Sequence, residues 1–297
     1  MIKNIDKKRI KARSRQLRKT LRKKKWVRFT ETYVNILFGA NTFISAAAMA
    51  YSMTLSFFPM LICIYTLLGR NRAKVVSILD QFDMVFSEKS AGLVQSFMYY
   101  VERNSSQAML WFSLLLIVTN ASFAYRILSN TIARMQDGKK RLGDFRHYMS
   151  SFAFAVIFLL TGVLAIIIII FSEQLFMWIN VRIPAVDISG SWAYLRFVLL
   201  AAVLYFVILG LYEVCEYRHN AYDIRLGALL VTAALLAVTM AFSLFVSRSV
   251  RYSVVYGSLA TFILLMFYLY VFCLTILFGA VFNITMAKMK DEDGELV

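Results

Sequence analysis

Long stretches without charge alternate with short polar segments along this chain, and the alternation predicts its elements. An apolar run of about twenty residues, rising about 1.5 Å per residue as a helix, crosses the roughly 30 Å hydrocarbon core of a bilayer. Six mainly uncharged runs qualify: 43–68, 108–128, 148–171, 192–214, 226–246 and 254–286. The segment 70–107 differs. There Val75, Leu79, Phe82 and Val85, then Val94, Phe97, Met98 and Val101, repeat at helical spacing. Two amphipathic helices lying on the membrane domain fit this pattern better than a re-entrant pair, in which Asp80, Asp83, Glu88 and Glu102 would face lipid. The pattern therefore predicts an all-α, polytopic membrane protein with six transmembrane helices.

The first run, FISAAAMAYSMTLSFFPMLICIYTLL, is rich in small and hydroxyl residues where a lipid-facing anchor would carry Leu, Ile and Val. Such a helix packs among other helices. Asn41, Ser45, Ala48, Ser52, Ser56 and Pro59 follow in steps of three or four, which places them on one helical face. Pro59 has no N–H and leaves the Leu55 carbonyl without its helical donor, so a kink or cavity is expected at that depth. In the last run Tyr268, Thr275, Gly279 and Asn283 form a similar stripe. Together the two stripes make a candidate polar seam between the first and sixth spans, through which a polar head group could pass. The plainer alternative is packing through small residues and interhelical hydrogen bonds worth about 0.6 kcal/mol each.

Composition narrows the class. The chain is 60% hydrophobic and 17% charged, with two prolines and a mean hydropathy of +0.65, values that argue against a soluble domain and against turn-rich β structure. The net charge of +16 is uneven: residues 1–41 hold fourteen Lys and Arg against Asp6 and Glu31. Residues 1–30 thus read as a basic cytoplasmic arm, with Ile10, Leu17 and Leu21 at helical spacing and Trp26, Val27 and Phe29 beside the membrane. Its expected partner is the anionic inner leaflet, at about 1 kcal/mol per cation, although a simple retention signal would look the same. With the arm, the cations of 126–146, Arg218, Arg225, Lys288 and Lys290 put 24 of the 33 Lys and Arg on one side. The positive-inside rule then places both termini in the cytoplasm and the amphipathic segment outside. This divides the chain into the arm, a membrane domain over 31–287 and a cytoplasmic tail, 288–297.

Little in the sequence points to catalysis. His147 and His219 lie in separate loops, no metal-ligand cluster or nucleotide-binding loop is present, and Cys63, Cys215 and Cys273 lie within apolar runs with no CxxC spacing. No catalytic residue, cofactor or metal is expected, and no RNA-binding motif accompanies the basic arm, so no nucleic-acid partner is expected either. Arg126, after Asn120 and Tyr125 at the inner end of the second span, and Glu213, at the inner end of the fourth, are candidate head-group contacts for a phosphate and a cation. They could equally pair or snorkel to the interface. No predicted span holds an ionisable residue at mid-depth, which argues against a pump built on a buried carboxylate.

Ser45 to Leu61, SAAAMAYSMTLSFFPML, with Ala46, Ala47, Tyr51 and Pro59, resembles the opening-span motif of the YihY/BrkB family of bacterial inner-membrane proteins. Tyr256-Gly257-Ser258-Leu259, Phe267 to Tyr270, and Phe278-Gly279-Ala280 with Asn283 resemble its last span, and Leu211-Tyr212 and Gly227-Ala228 echo the fourth and fifth. The acid the family often has two residues before that Asn is Val281 here. The resemblance covers roughly residues 30–287. It implies a six-span inner-membrane protein of a family linked to serum resistance and, in one branch, to envelope lipid export. The family has also carried the label of a tRNA-processing ribonuclease, ribonuclease BN. Residues and resemblance together lead to an expected transporter or flippase-like handler of an anionic lipid or envelope amphiphile. The alternative is a non-transporting envelope scaffold. Membrane lipids are the expected partners, a homo-oligomer is left open, and nuclease activity is not expected.

Overall fold

The computed structural model describes residues 25–68, 107–136, 138, 149–157, 159–161, 164, 189–215, 221–248 and 258–294. The arm up to residue 24, most of the 70–107 segment, both histidines and the motif residues Tyr256 and Gly257 lie outside them. Among the described residues all regular structure is helical: α1 Lys25–Gly39, α2 Thr42–Leu68, α3 Gln107–Met135, α4 Met149–Thr161, α5 Ser189–Cys215, α6 Ala221–Arg248 and α7 Ser258–Gly294. Four stretches are long and apolar enough to cross a membrane: Gln107–Met135, Val198–Cys215, Ile224–Phe245 and Phe262–Lys290. Trp26–Gly39 and Thr42–Phe57 qualify together as a fifth, bent by 54° at the break between them. α4 occupies the start of the third predicted run, much of whose remainder lies outside the described residues.

The expected boundary at residue 30 falls inside α1. The charged residues around it hide an apolar stripe that continues through Tyr33, Ile36 and Leu37. Phe29 stacks on Tyr33 at 6.0 Å and meets Phe282 edge-on at 5.7 Å, and the Tyr33 hydroxyl donates to the Phe278 carbonyl at 3.4 Å. α1 is thus docked on α7. The chain turns into α2 through Asn41, whose φ of 54° is left-handed, a conformation Asn tolerates better than other side-chain-bearing residues. The Ala40 N–H donates to Ile36 O at 3.2 Å and the Thr42 hydroxyl to Leu37 O at 2.7 Å, so the end of α1 is capped by the first residue of α2. Asn41 is exposed and precedes the helix, so it does not belong to the polar face of the first span as expected.

α3 outlasts its predicted run by seven residues, because Leu128, Ile132 and Met135 carry the buried stripe on to its end. α7 likewise continues to Gly294, and most of the expected tail is its last turns. α7 packs against α1, α2, α3 and α6; α2 and α3 form the most extensive pair, and α5 lies on α6. The alanines of α2 serve this packing on one side only: Ala46 is fully buried, whereas Ala47 and Tyr51 point outward. The first turn of α2, the last turns of α3, the first two turns of α6 and the C-terminal half of α7 gather at one end of the bundle, through Ser45 with Thr131, Phe43 with Phe278, and Gly227 with Asn283. The basic segments of the sequence flank these same helix ends.

A pocket between helices and two separate polar stripes

The two predicted stripes do not meet as a seam. Ser45 turns to α3, where its hydroxyl lies 2.8 Å from that of Thr131 and accepts from Arg134 Nη2 at 3.1 Å. Ser52 and Ser56 are buried, and their hydroxyls bond back to the carbonyls of Ala48 and Ser52 at 3.2 and 3.0 Å. Thr54 does the same to Ala50 at 2.8 Å. This is how a hydroxyl-rich helix stays dry: its own carbonyls satisfy its donors. The α7 stripe faces α5 and α6. Gly279 lies against Val231 and the Tyr212 hydroxyl, Asn283 fills the space beside Gly227, and Tyr268 shares a 3.0 Å hydrogen bond with Thr239. Thr275 bonds back to Val271 at 2.8 Å. The α2–α7 contacts themselves are apolar, with Cys273 Sγ 3.7 Å from Met53 Sδ and Phe43 edge-on to Phe278 at 6.2 Å. Asn41 apart, the polar positions of α2 lie on its packed side, but the stripe of α7 meets α5 and α6 and not α2.

The stripes do share one space. A pocket of about 390 Å³ is enclosed by Met53, Ser56, Phe57 and Met60 of α2, Asn120, Ala121 and Ala124 of α3, Phe154 of α4, Thr239 and Phe242 of α6, and Leu265, Tyr268 and Leu269 of α7. It adjoins Pro59, which is itself buried, at the depth where a cavity was expected. α4 is brought to its wall by Tyr125, which stacks on Phe154 at 5.0 Å and donates to Ser150 at 3.2 Å. Fourteen residues separate Thr42 from Ser56 and fifteen separate Tyr268 from Asn283, so the pocket lies roughly 20 Å along the helices from the basic end. Its walls carry no charge. The polar groups are Ser56, Asn120 and the Thr239–Tyr268 pair, and the Asn120 side chain makes no hydrogen bond to another described residue. Such a lining accepts an apolar chain bearing an uncharged polar group and rejects a bare charge, whose desolvation nothing there offsets.

Of the two candidate head-group contacts, Glu213 is exposed near the end of α5, as expected. Arg126 is not at the end of its helix: α3 runs nine residues further, so Arg126 sits roughly 13 Å inside it, half-buried, with its guanidinium carbon 5.8 Å from the centre of the Phe123 ring. Arg126 thus lies within the helix and not at its inner end, where the predicted run had placed it. Thr131, Phe154, Thr239 and Phe242 carry no signal in the sequence, and Arg134, expected among the cations of a basic loop, stands in the last turn of α3. Thr131 and Arg134 fall beyond the predicted run, and nothing local pairs Thr239 with Tyr268. The three cysteines are buried free thiols, and no group of three or more His, Cys, Asp or Glu occurs among the described residues.

Comparison with known proteins agrees with the helical bundle. The model of the family described as virulence factor BrkB matches residues 39–296. A curated relative from Bacillus subtilis (strain 168), named "Putative ribonuclease-like protein YfkH", is 24% identical over 247 residues, covering 82% of this chain and 90% of that protein. No solved structure matches. With the family match running from the α1–α2 joint to the end of α7, the chain is a multi-pass helical membrane protein of the virulence factor BrkB family.

Proposed function

We propose that this protein binds an envelope amphiphile by its apolar chain and moves or positions it in the membrane. The observation behind this reading is the uncharged pocket of about 390 Å³ between α2, α3, α4, α6 and α7, which falls within the size range of small-molecule sites and offers a few fixed polar groups among apolar walls. Arg126, half-buried above the basic end, is a second point of contact for the polar part of such a molecule. The basic end is cytoplasmic in this reading, which puts both termini inside a bacterial inner membrane and the pocket nearer the outer leaflet. We also propose that the chain is not a nuclease. The ribonuclease-like name belongs to the relative, and no group of three or more metal-ligating side chains occurs among the described residues of this chain.

The test is reconstitution of the purified protein into liposomes with fluorescent phospholipids or lipid-linked precursors, measuring both binding and exchange between leaflets. Wild type should bind or exchange them. Ala124→Phe, which fills the pocket, should lower either signal by about tenfold, and Asn120→Leu should weaken binding without emptying the pocket. Absence of both activities in wild type, or an unchanged Ala124→Phe, would leave the scaffold reading in its place. Incubation with precursor tRNA should give no cleavage above a protein-free control.

A further inference from the structure

Arg134 stands in the last turn of α3, at the basic end of the bundle and away from the pocket. It is exposed, yet it is not loose. Its Nη2 donates to Ser45 Oγ of α2 at 3.1 Å and to Thr131 Oγ1 of its own helix at 3.0 Å, and both hydroxyl residues are buried. Thr131 in turn donates to the Ile127 carbonyl at 2.7 Å. A snorkelling arginine at a helix end would keep its rotamer freedom, whereas here two helices fix the guanidinium plane. Nη2 is occupied by hydroxyls alone, while Nε and Nη1 have no partner among the described residues, and no carboxylate there neutralises the charge. A guanidinium held through Nη2 keeps Nε–H and the Nη1 hydrogens, which point in different directions, for single charge-assisted bonds to the oxygens of a phosphate.

We propose that Arg134, held by Ser45 and Thr131, is a docking point for a phosphate group at the basic end of the bundle. The phosphate belongs either to the head group of an anionic phospholipid or to a free phosphate. The site does not depend on the pocket, and it stands or falls separately from the amphiphile reading above.

The experiment uses the full-length protein in nonionic detergent, titrated with short-chain phosphatidylglycerol, with diacylglycerol of the same chains, and with inorganic phosphate. Binding is read by native mass spectrometry. Wild type should bind phosphatidylglycerol at least about tenfold more tightly than diacylglycerol, and Arg134→Gln should erase that difference. Arg225→Gln removes an exposed cation near the same end and should change affinity by less than about twofold. Arg134→Lys, which keeps the charge and protects folding, should bind more weakly than wild type but more tightly than Arg134→Gln, because a mobile ammonium replaces a guanidinium that two hydroxyls hold in place. Releasing the tether with Ser45→Ala plus Thr131→Val should cost about threefold or more. Preference for phosphatidylglycerol over inorganic phosphate assigns the site to a lipid, and equal binding assigns it to the free anion. Equal losses in the Arg134→Gln and Arg225→Gln variants, or equal binding of phosphatidylglycerol and diacylglycerol, would overturn the proposal.

Discussion

Gly227 and Gly279 are the positions where one added carbon matters most. A Cβ on Gly227 would run into the Asn283 carboxamide, and one on Gly279 would meet Val231 and the Tyr212 hydroxyl. That hydroxyl is already committed, donating to the Ile276 carbonyl at 2.6 Å. Neither neighbour is the loose end of a flexible chain, so the cost is that of overpacking. Gly227→Ala and Gly279→Ala are each expected to destabilise by about 1–3 kcal/mol, seen as a lower thermal midpoint in detergent. Gly210 of α5 has nothing within 4 Å of its added carbon, so Gly210→Ala should be neutral or stabilise by up to about 1 kcal/mol in the same measurement. The sequence marked Gly279 and Asn283 as one stripe, because helical spacing is a local property. It did not say that Asn283 would meet Gly227, since a contact across two helices depends on how the bundle closes and leaves no periodic trace.

The joint between α1 and α2 shows the same limit in a whole element. Apolar runs announced helices able to cross a membrane, because burial in lipid demands length and absence of charge. The bend of 54° has no such signature. It rests on Asn41 in the left-handed region and on the Thr42 hydroxyl closing α1 at Leu37. Asn41→Gly should therefore hold or raise the thermal midpoint, while Asn41→Val should lower stability by about 1–2 kcal/mol, because a β-branched side chain opposes that backbone conformation. Thr42→Val keeps the shape and removes the cap, and should cost about 1 kcal/mol. The early end assigned to the second span has a related origin. Arg126 was read as a boundary, but it lies in the interior of a helix that continues for two more buried turns.

At the scale of the molecule, the gathering of helix ends makes sidedness testable. α3 ends and α6 begins at the basic end, so positions 138 and 248 lie at opposite ends of the bundle. A cytoplasmic reporter fused after Gly138 should be active and one fused after Arg248 inactive, with a periplasmic reporter giving the reverse; equal activity at both sites would refute the assignment of the basic end to the cytoplasm. The fold class was legible because bilayer physics imposes it on every span, and the residues of the candidate site were partly legible as faces. The pocket was not, since its walls come from five helices. α7, the helix that touches α1, α2, α3 and α6 and receives the Tyr212 bond from α5, follows all of them in the chain. Synthesis proceeds from the N-terminus, so the earlier helices enter the bilayer before their common neighbour exists. The bundle is therefore assembled around an element made after the helices it joins. A ribosome that stops before Ser258 leaves α2 and α3 joined to α5 and α6 only through the small α3–α5 contact, and such a chain should be cleared within one pulse-chase interval while the full-length protein persists.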